Sequence, residues 1–349
     1  MRLAVLWSEL SGYTLDCWSA LASLGVEIEA LCSISGAGSN APFDLREPPG
    51  VKISYFDEGD PKSGPIVEEF VSRARPTVLL VSGWWNAHYR HAAAEASIPY
   101  IVACDNPYRD VIQSSGLRLR HGRFLRGAAA VAVPGERGFQ LINRSGIAPG
   151  RIFRPLYGIA TSPPDTKVLK RDRAFLFVGQ LIERKGIPEL LSAYAQYRLN
   201  SADPLALYIA GTGPLETLRD GQEGVEWLGF VQPSELASLR SKCPFLVLPS
   251  HHDAWPLALV EAAADGMGIL CTTACGSSVE IVRSGWNGRV FPPKNVAALA
   301  EALQWADAHI QESDLIGERS RQLAAPYSAE QWAEEWNHLL TSASEGQCL

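Results

Sequence analysis

Short runs of β-branched and aliphatic residues alternate along the whole chain with longer stretches whose apolar residues recur at helical spacing. In the first half the runs fall at 3–8, 26–32, 51–56, 77–82, 100–104, 128–133 and 152–157. In the second half they fall at 175–178, 206–210, 225–228, 245–248, 269–273 and 289–291, and a helical pattern over 296–309 follows. Apolar runs this short, separated by helical patterns, predict parallel sheets covered on both faces by helices. A polar, proline-rich break, Thr161-Ser-Pro-Pro-Asp-Thr-Lys-Val-Leu-Lys170, separates the two series. It reads as a linker between two doubly wound domains. A last helical stretch over 329–341, with Trp332 and Trp336 one turn apart, could pack back across either domain.

Composition narrows the class. A length of 349 residues is comfortable for two such domains, and the balance of apolar and charged residues is that of a soluble globular enzyme. Seven cysteines, odd in number and mostly inside apolar runs, suggest reduced thiols in a cytoplasmic protein. Cys271 and Cys275 lack zinc spacing and read as packing residues. The N-terminus enters a short buried strand without a signal-peptide pattern, and no apolar run is long enough to span a bilayer. Residues 1–165 balance their charges, so the whole formal excess of −7 lies beyond them, which argues against a nucleic-acid partner. The only dense basic run is Arg118, Arg120, Arg123 and Arg126. It suits a lipid-linked phosphate or weak peripheral contact with the inner face of the cytoplasmic membrane, although a solvated helix face is the commoner explanation of such runs.

The segment from Leu248 to Gly266 is richest in chemistry. An apolar β-run stops at Pro249-Ser250, Pro256 suits the first turn of a helix, and Gly266 suits its end. Asp253 is then expected in the loop before the helix and Glu261 inside it, about two turns from its start. The free amides of a helix start suit a phosphate, and carboxylates accept hydrogen bonds from hydroxyls, so the pair suits a sugar and a ribose flanking an anion. Chance and a solvated helix face are the plain alternative.

Upstream, a strand ends at Gly179, a cationic turn carries Arg184 and Lys185, and a helix is expected after Gly186. Lys185, helped by Arg184, could neutralise a diphosphate, and Gln180 could donate its amide. A solvated turn explains the same residues. Gly211 and Gly213 at the next strand end permit close approach of backbone to ligand, and the strand end before Val231 offers main-chain groups to a base edge.

The order of these motifs carries further meaning. Val-Gly-Gln-Leu with Lys-Gly, Ile-Ala-Gly-Thr-Gly-Pro, Leu-Gly-Phe-Val, Leu-Pro-Ser with Asp-x7-Glu-Ala, and Ser284-Gly-Trp-Asn287-Gly288 closely resemble the C-terminal domain of glycosyltransferase family 4, a retaining GT-B group. The resemblance implies an α/β GT-B fold of two doubly wound Rossmann-like domains facing an interdomain cleft. An acceptor domain is expected over 1–160, a linker over 161–173, a nucleotide-sugar domain over 174–325, and a C-terminal helix over 326–349.

The resemblance also implies roles by position. Asp253 faces the donor sugar, Glu261 holds the ribose and Lys185 meets the diphosphate, with Gly179, Gln180, Arg184, Gly211, Gly213, Val231, Ala254, Trp255 and Leu257 around the donor. Two positions depart from the family. Gln180 stands where an Arg is usual, trading a cation for a neutral donor, and Asp253 replaces a Glu, one methylene shorter. The family stabilises its departing diphosphate with cations and helix dipoles, and the seven histidines here form no metal-binding pattern, so neither metal nor other cofactor is expected.

Acceptor residues are expected at strand ends of the first half. Gly12 fits the tight first loop. Trp84 and Trp85 are stacking platforms or core, and Asp105 and Asn106 open the segment Asp105-Asn106-Pro107-Tyr108. Many relatives carry a His near Asp105, so Asp105 is the candidate for that catalytic place. The expected reaction moves a hexosyl group, with retention, from a nucleotide-diphosphate sugar such as a UDP-sugar to a hydroxyl of a saccharide or lipid-linked glycan. It would serve polysaccharide or glycoconjugate synthesis. A nucleotide-sugar epimerase and a non-catalytic sugar-nucleotide-binding partner of another transferase are the alternatives.

Overall fold

The computed structural model describes residues 1–8, 10–34, 47–106, 111–161 and 171–346. Most of the expected linker (162–170), Pro107, Tyr108 and Cys348 lie outside the described residues. The chain divides into two compact units, Met1–Ala160 with Tyr327–Leu349, and Thr161–Pro326.

The first unit is built on strands β1 (Arg2–Trp7), β2 (Glu27–Ile34), β3 (Val51–Asp57), β4 (Val78–Ser82), β5 (Tyr100–Ala103), β6 (Ala130–Ala132) and β7 (Ile152–Phe153). They form one sheet in the order β3-β2-β1-β4-β5-β6-β7, and every pairing is parallel. The side-chain period of two sorts each strand between two cores. Ala4, Leu6, Leu79 and Val81 enter the cluster on one face, whereas Leu3, Val5, Val78 and Leu80 enter the other. That double burial is why the central strands read as unbroken apolar runs.

Most expected strands lie within a residue or two of the observed ones. The seventh is the exception: expected over 152–157, it stops at Phe153. Pro155 has no N–H to offer the ladder, and the chain leaves the sheet there, with the Leu156 N–H turning back to the Val133 carbonyl at 3.0 Å. The final helix, Ala329–Ser344, belongs to this unit. The indole N–H groups of Trp332 and Trp336 donate to the Leu156 and Pro155 carbonyls, each at 2.9 Å, and both rings join the core cluster containing Trp18 and Leu21.

The second unit holds β8 (Ala174–Val178), β9 (Ala206–Ala210), β10 (Val225–Gly229), β11 (Phe245–Leu248), β12 (Gly268–Thr272) and β13 (Gly288–Phe291). This sheet, also fully parallel, has the order β10-β9-β8-β11-β12-β13. Strand order reverses between β8 and β11, the point at which such sheets open a crevice beyond their carboxyl ends. Among the described residues no helix is long and apolar enough to cross a membrane.

Candidate functional site

The loops after β8 and β11 meet at that reversal. Lys185 Nζ lies 2.5 Å from Asp253 Oδ2, and Arg184 Nη1 lies 3.9 Å from the same oxygen. The Lys185 and Asp253 side chains are each 13% exposed, so the pair is largely withdrawn from water, whereas Arg184 is half-exposed. Two cations thus face one carboxylate here. The Asp253 loop is pinned from both sides. His251 N–H donates to the Arg184 carbonyl at 2.7 Å, Asp253 N–H to Ala274 at 3.2 Å, and Gly276 N–H back to the Asp253 carbonyl at 2.9 Å.

Glycines make this layering possible. A Cβ on Gly186, whose φ is +73°, would run into the Pro249 carbonyl oxygen, and one on Gly276 would run into that of Ala254. Gly211 and Gly213 were expected to admit a ligand. Their Cβ directions instead point at the carbonyls of Gly179 and Leu181, so both serve the packing of one loop on the next. Gln180 is exposed, and Val231 is half-buried after β10.

The helix after Asp253 runs Leu257–Ala264, with Pro256 at its N-cap and no side-chain cap, so its first amides face the loop uncapped by any side chain. Pro256 therefore stands one place before the first turn, and Glu261 lies little more than one turn into the helix instead of about two. Trp255, expected at the donor, is only 6% exposed; its ring belongs to the core and only its main chain suits a ligand there. Ala254 and Leu257 are half-buried.

Glu261 is held by a residue that the sequence did not single out. Arg240, on the helix Pro233–Lys242, places Nη1 3.1 Å from Glu261 Oε2 and Nε 2.5 Å from Asp265 Oδ2. One guanidinium thereby orients two carboxylates of the neighbouring helix and its cap. The only sequence signal was an arginine following Leu239 on an expected helix.

In the first unit, Gly12 begins the helix Gly12–Ser23, and a Cβ there would meet nothing within 4 Å. Asp105 is exposed after β5 and hydrogen-bonds the Tyr157 side chain; burial first, and then the Asp105 charge, push that phenol well above its ordinary range. Asn106 is half-buried. Trp84 and Trp85 separate sharply. Trp84 is 4% exposed and lies in the core cluster, so the expectation of a sugar platform fails for it, whereas Trp85 is 74% exposed. Strand β4 ends at Ser82, so alternation no longer fixes which of the two rings turns inward. The described cysteines are all buried, and burial pushes the Cys17, Cys32 and Cys243 thiols up to about 12. Arg118, Arg120, Arg123 and Arg126 are exposed on the helix Val111–Gly127, beside Ile112 and Leu119 at 83% and 85% exposure.

Comparison with known proteins matches these two units to two family models. Residues 160–323 match the glycosyl transferases group 1 family, and residues 10–154 match the glycosyl transferase 4-like domain. A D-rhamnosyltransferase of Pseudomonas aeruginosa is 30% identical over 42% of this chain and 39% of its own. The O-antigen chain mannosyltransferase C of Escherichia coli is 29% identical over 50% of this chain and 48% of its own. The matched part thus spans less than half the length of these relatives. The fold is GT-B: Alr3699/HepE of Anabaena, solved in complex with UDP, superposes with a TM-score of 0.75 at 16% identity, covering 98% of this chain and all of that one.

Proposed function

The chain belongs to the glycosyl transferases group 1 family, and from that premise we propose a retaining, metal-independent hexosyltransferase acting in polysaccharide or glycoconjugate synthesis. It moves a sugar from a nucleotide diphosphate to a hydroxyl of a saccharide or lipid-linked glycan. The observation that carries this reading is the Lys185–Asp253 pair at the strand-order reversal of the second unit.

In this reading Lys185 is the main counter-charge for the leaving diphosphate, assisted by Arg184 and the uncapped amides at the start of Leu257–Ala264. Asp253 holds the ammonium in place before the donor arrives, which removes part of the entropic cost of ordering a flexible side chain. Its carboxylate also faces the sugar. Glu261, oriented by Arg240, accepts the ribose hydroxyls. Retention follows from attack on the face the diphosphate leaves, with the departing phosphate oxygen taking the acceptor proton. The cations replace the charge that a metal would otherwise supply.

The stripe of Ile112, Leu119, Arg123 and Arg126 extends the reading to weak peripheral membrane contact. The helix carrying it has no acidic residue, so it complements an anionic lipid surface. Co-sedimentation with phosphatidylglycerol vesicles, lost on Leu119→Ser with Arg123→Gln, is the expected outcome.

The central test is release of UDP from UDP-sugars with and without saccharide acceptors. Glu261→Ala is expected to abolish turnover and weaken UDP binding, Asp253→Ala to damage transfer chiefly, and chelator to leave the rate unchanged. Near-normal rates in both variants would sink the assignment. Sugar inversion from donor alone, without any acceptor, would identify an epimerase.

A further inference from the structure

The first unit has its own strand-order reversal, between β1 and β4, and a cavity of about 320 Å³ opens there. That is the small end of the range for ligand sites, room for a sugar ring and little more. Its walls have three kinds of chemistry. The rings of Tyr13 and Tyr157, which meet edge to face at 5.3 Å, supply aromatic surface; Trp7 also lines the cavity, but it is 7% exposed and belongs to the core. The hydroxyls of Ser8, Ser33 and Ser82 supply neutral donors and acceptors, with the Ser8 and Ser82 oxygens 3.1 Å apart. Glu58, just beyond β3, supplies a carboxylate.

Glu58 is positioned from outside the cavity. Asn86 caps the helix Ala87–Glu95 by accepting from the His88 and Tyr89 amides through Oδ1, at 2.9 and 3.1 Å. A cap of this kind fixes which way the amide faces. The Asn86 amide nitrogen consequently points at Glu58 Oε1, 2.8 Å away. Among the described residues lining the cavity there is no lysine, arginine or histidine. Asp105, bonded to the Tyr157 wall, adds a second negative charge nearby.

We propose that this cavity receives an uncharged sugar ring of the acceptor, and that Glu58 is its specificity-determining residue. The inference rests on the transferase reading and names the substrate class at its acceptor side. Aromatic faces stack on the apolar face of a pyranose, serine hydroxyls bond its oxygens, and the fixed carboxylate accepts from its hydroxyls. A uronate or a sugar phosphate meets a carboxylate of its own sign, with no cation among the described lining residues to offset it.

Saturation-transfer NMR on the full chain tests this with methyl α-D-glucopyranoside, mannopyranoside and galactopyranoside set against glucuronate and glucose 6-phosphate. At least one neutral glycoside is expected to bind about tenfold more tightly than either anion, and Glu58→Gln to erase most of that affinity. Glu58 is exposed, so the variant is expected to keep the wild-type circular dichroism, and Glu58→Lys is expected to favour the anions. Anions binding as well as neutral rings, no neutral ring binding, or an unchanged Glu58→Gln variant would each overturn the proposal. UDP binding, read by thermal shift and sensitive to Glu261→Ala, reports on the donor reading separately. A chain that binds UDP but no glycoside loses this inference alone.

Discussion

Lys185 and Asp253 are each worth more together than their local sequences indicate. Withdrawing two charges from water is costly, and the contact at 2.5 Å offsets that cost only while both partners are present. Lys185→Met is therefore expected to cost about 3 kcal/mol of stability, because it leaves a carboxylate that is 13% exposed with only the half-exposed Arg184 at 3.9 Å. Asp253→Asn in the same chain should recover much of that loss without restoring turnover. Urea denaturation of the single and double variants measures the coupling, and strictly additive losses would show that the two side chains contribute independently. Arg240→Leu carries a related expectation. It leaves Glu261 and Asp265 without their shared cation, and UDP binding measured by calorimetry should weaken about tenfold. At this scale the sequence disclosed what is local: the spacing of Asp253 and Glu261 and the cationic turn at 184–185. It could not disclose Arg240, whose partners lie on another helix, nor that Trp84 turns inward while Trp85 stays in water.

Loops, more than strands, set the geometry of the donor region, and glycine is what lets them stack. Gly276 makes the point because its backbone angle is ordinary, so its need for a bare Cα comes from the Ala254 carbonyl alone. Gly276→Ala is expected to push the 253–254 loop away from β12 and with it the Lys185 contact. Donor turnover should fall at least tenfold although residue 276 need not touch substrate, with UDP release as the readout. Gly12→Ala is the control, since nothing lies within 4 Å of its Cβ and the fold should be indifferent to it. Should Gly12→Ala abolish transfer while the melting temperature stays put, the open space over Gly12 is where a ligand comes close. Strands were legible because double burial writes them as apolar runs. The seventh strand was overread because Leu156 and Tyr157 prolong its apolar run past Pro155, and the proline's missing donor outweighs that run. The glycines were legible as strand ends, yet their true neighbours are carbonyls from loops remote in sequence.

Each unit buries apolar residues of its own, and of the two cores that flank the first sheet one is closed only by the last helix. Trp336 is fully buried in that core and bonds the Pro155 carbonyl, although 181 residues separate the two. Sequence showed an amphipathic helix with two tryptophans a turn apart, but a helix face alone does not say which domain it covers; that is settled by the groove beside Trp18 and Leu21. Trp336→Ala removes a buried indole and leaves a carbonyl without its donor, which is expected to cost about 3–5 kcal/mol. Because the side chain belongs to the first unit, the loss should be confined there. Amide hydrogen exchange should speed up in Arg2–Trp7 and Gly12–Ser23 and stay unchanged in Ala174–Val178 and Phe245–Leu248. UDP binding should survive in the same variant, since every donor contact named above lies within the second unit. Loosening of both sheets together would mean that the two cores unfold as one, and the separate reading of donor and acceptor sides would have to be given up with it.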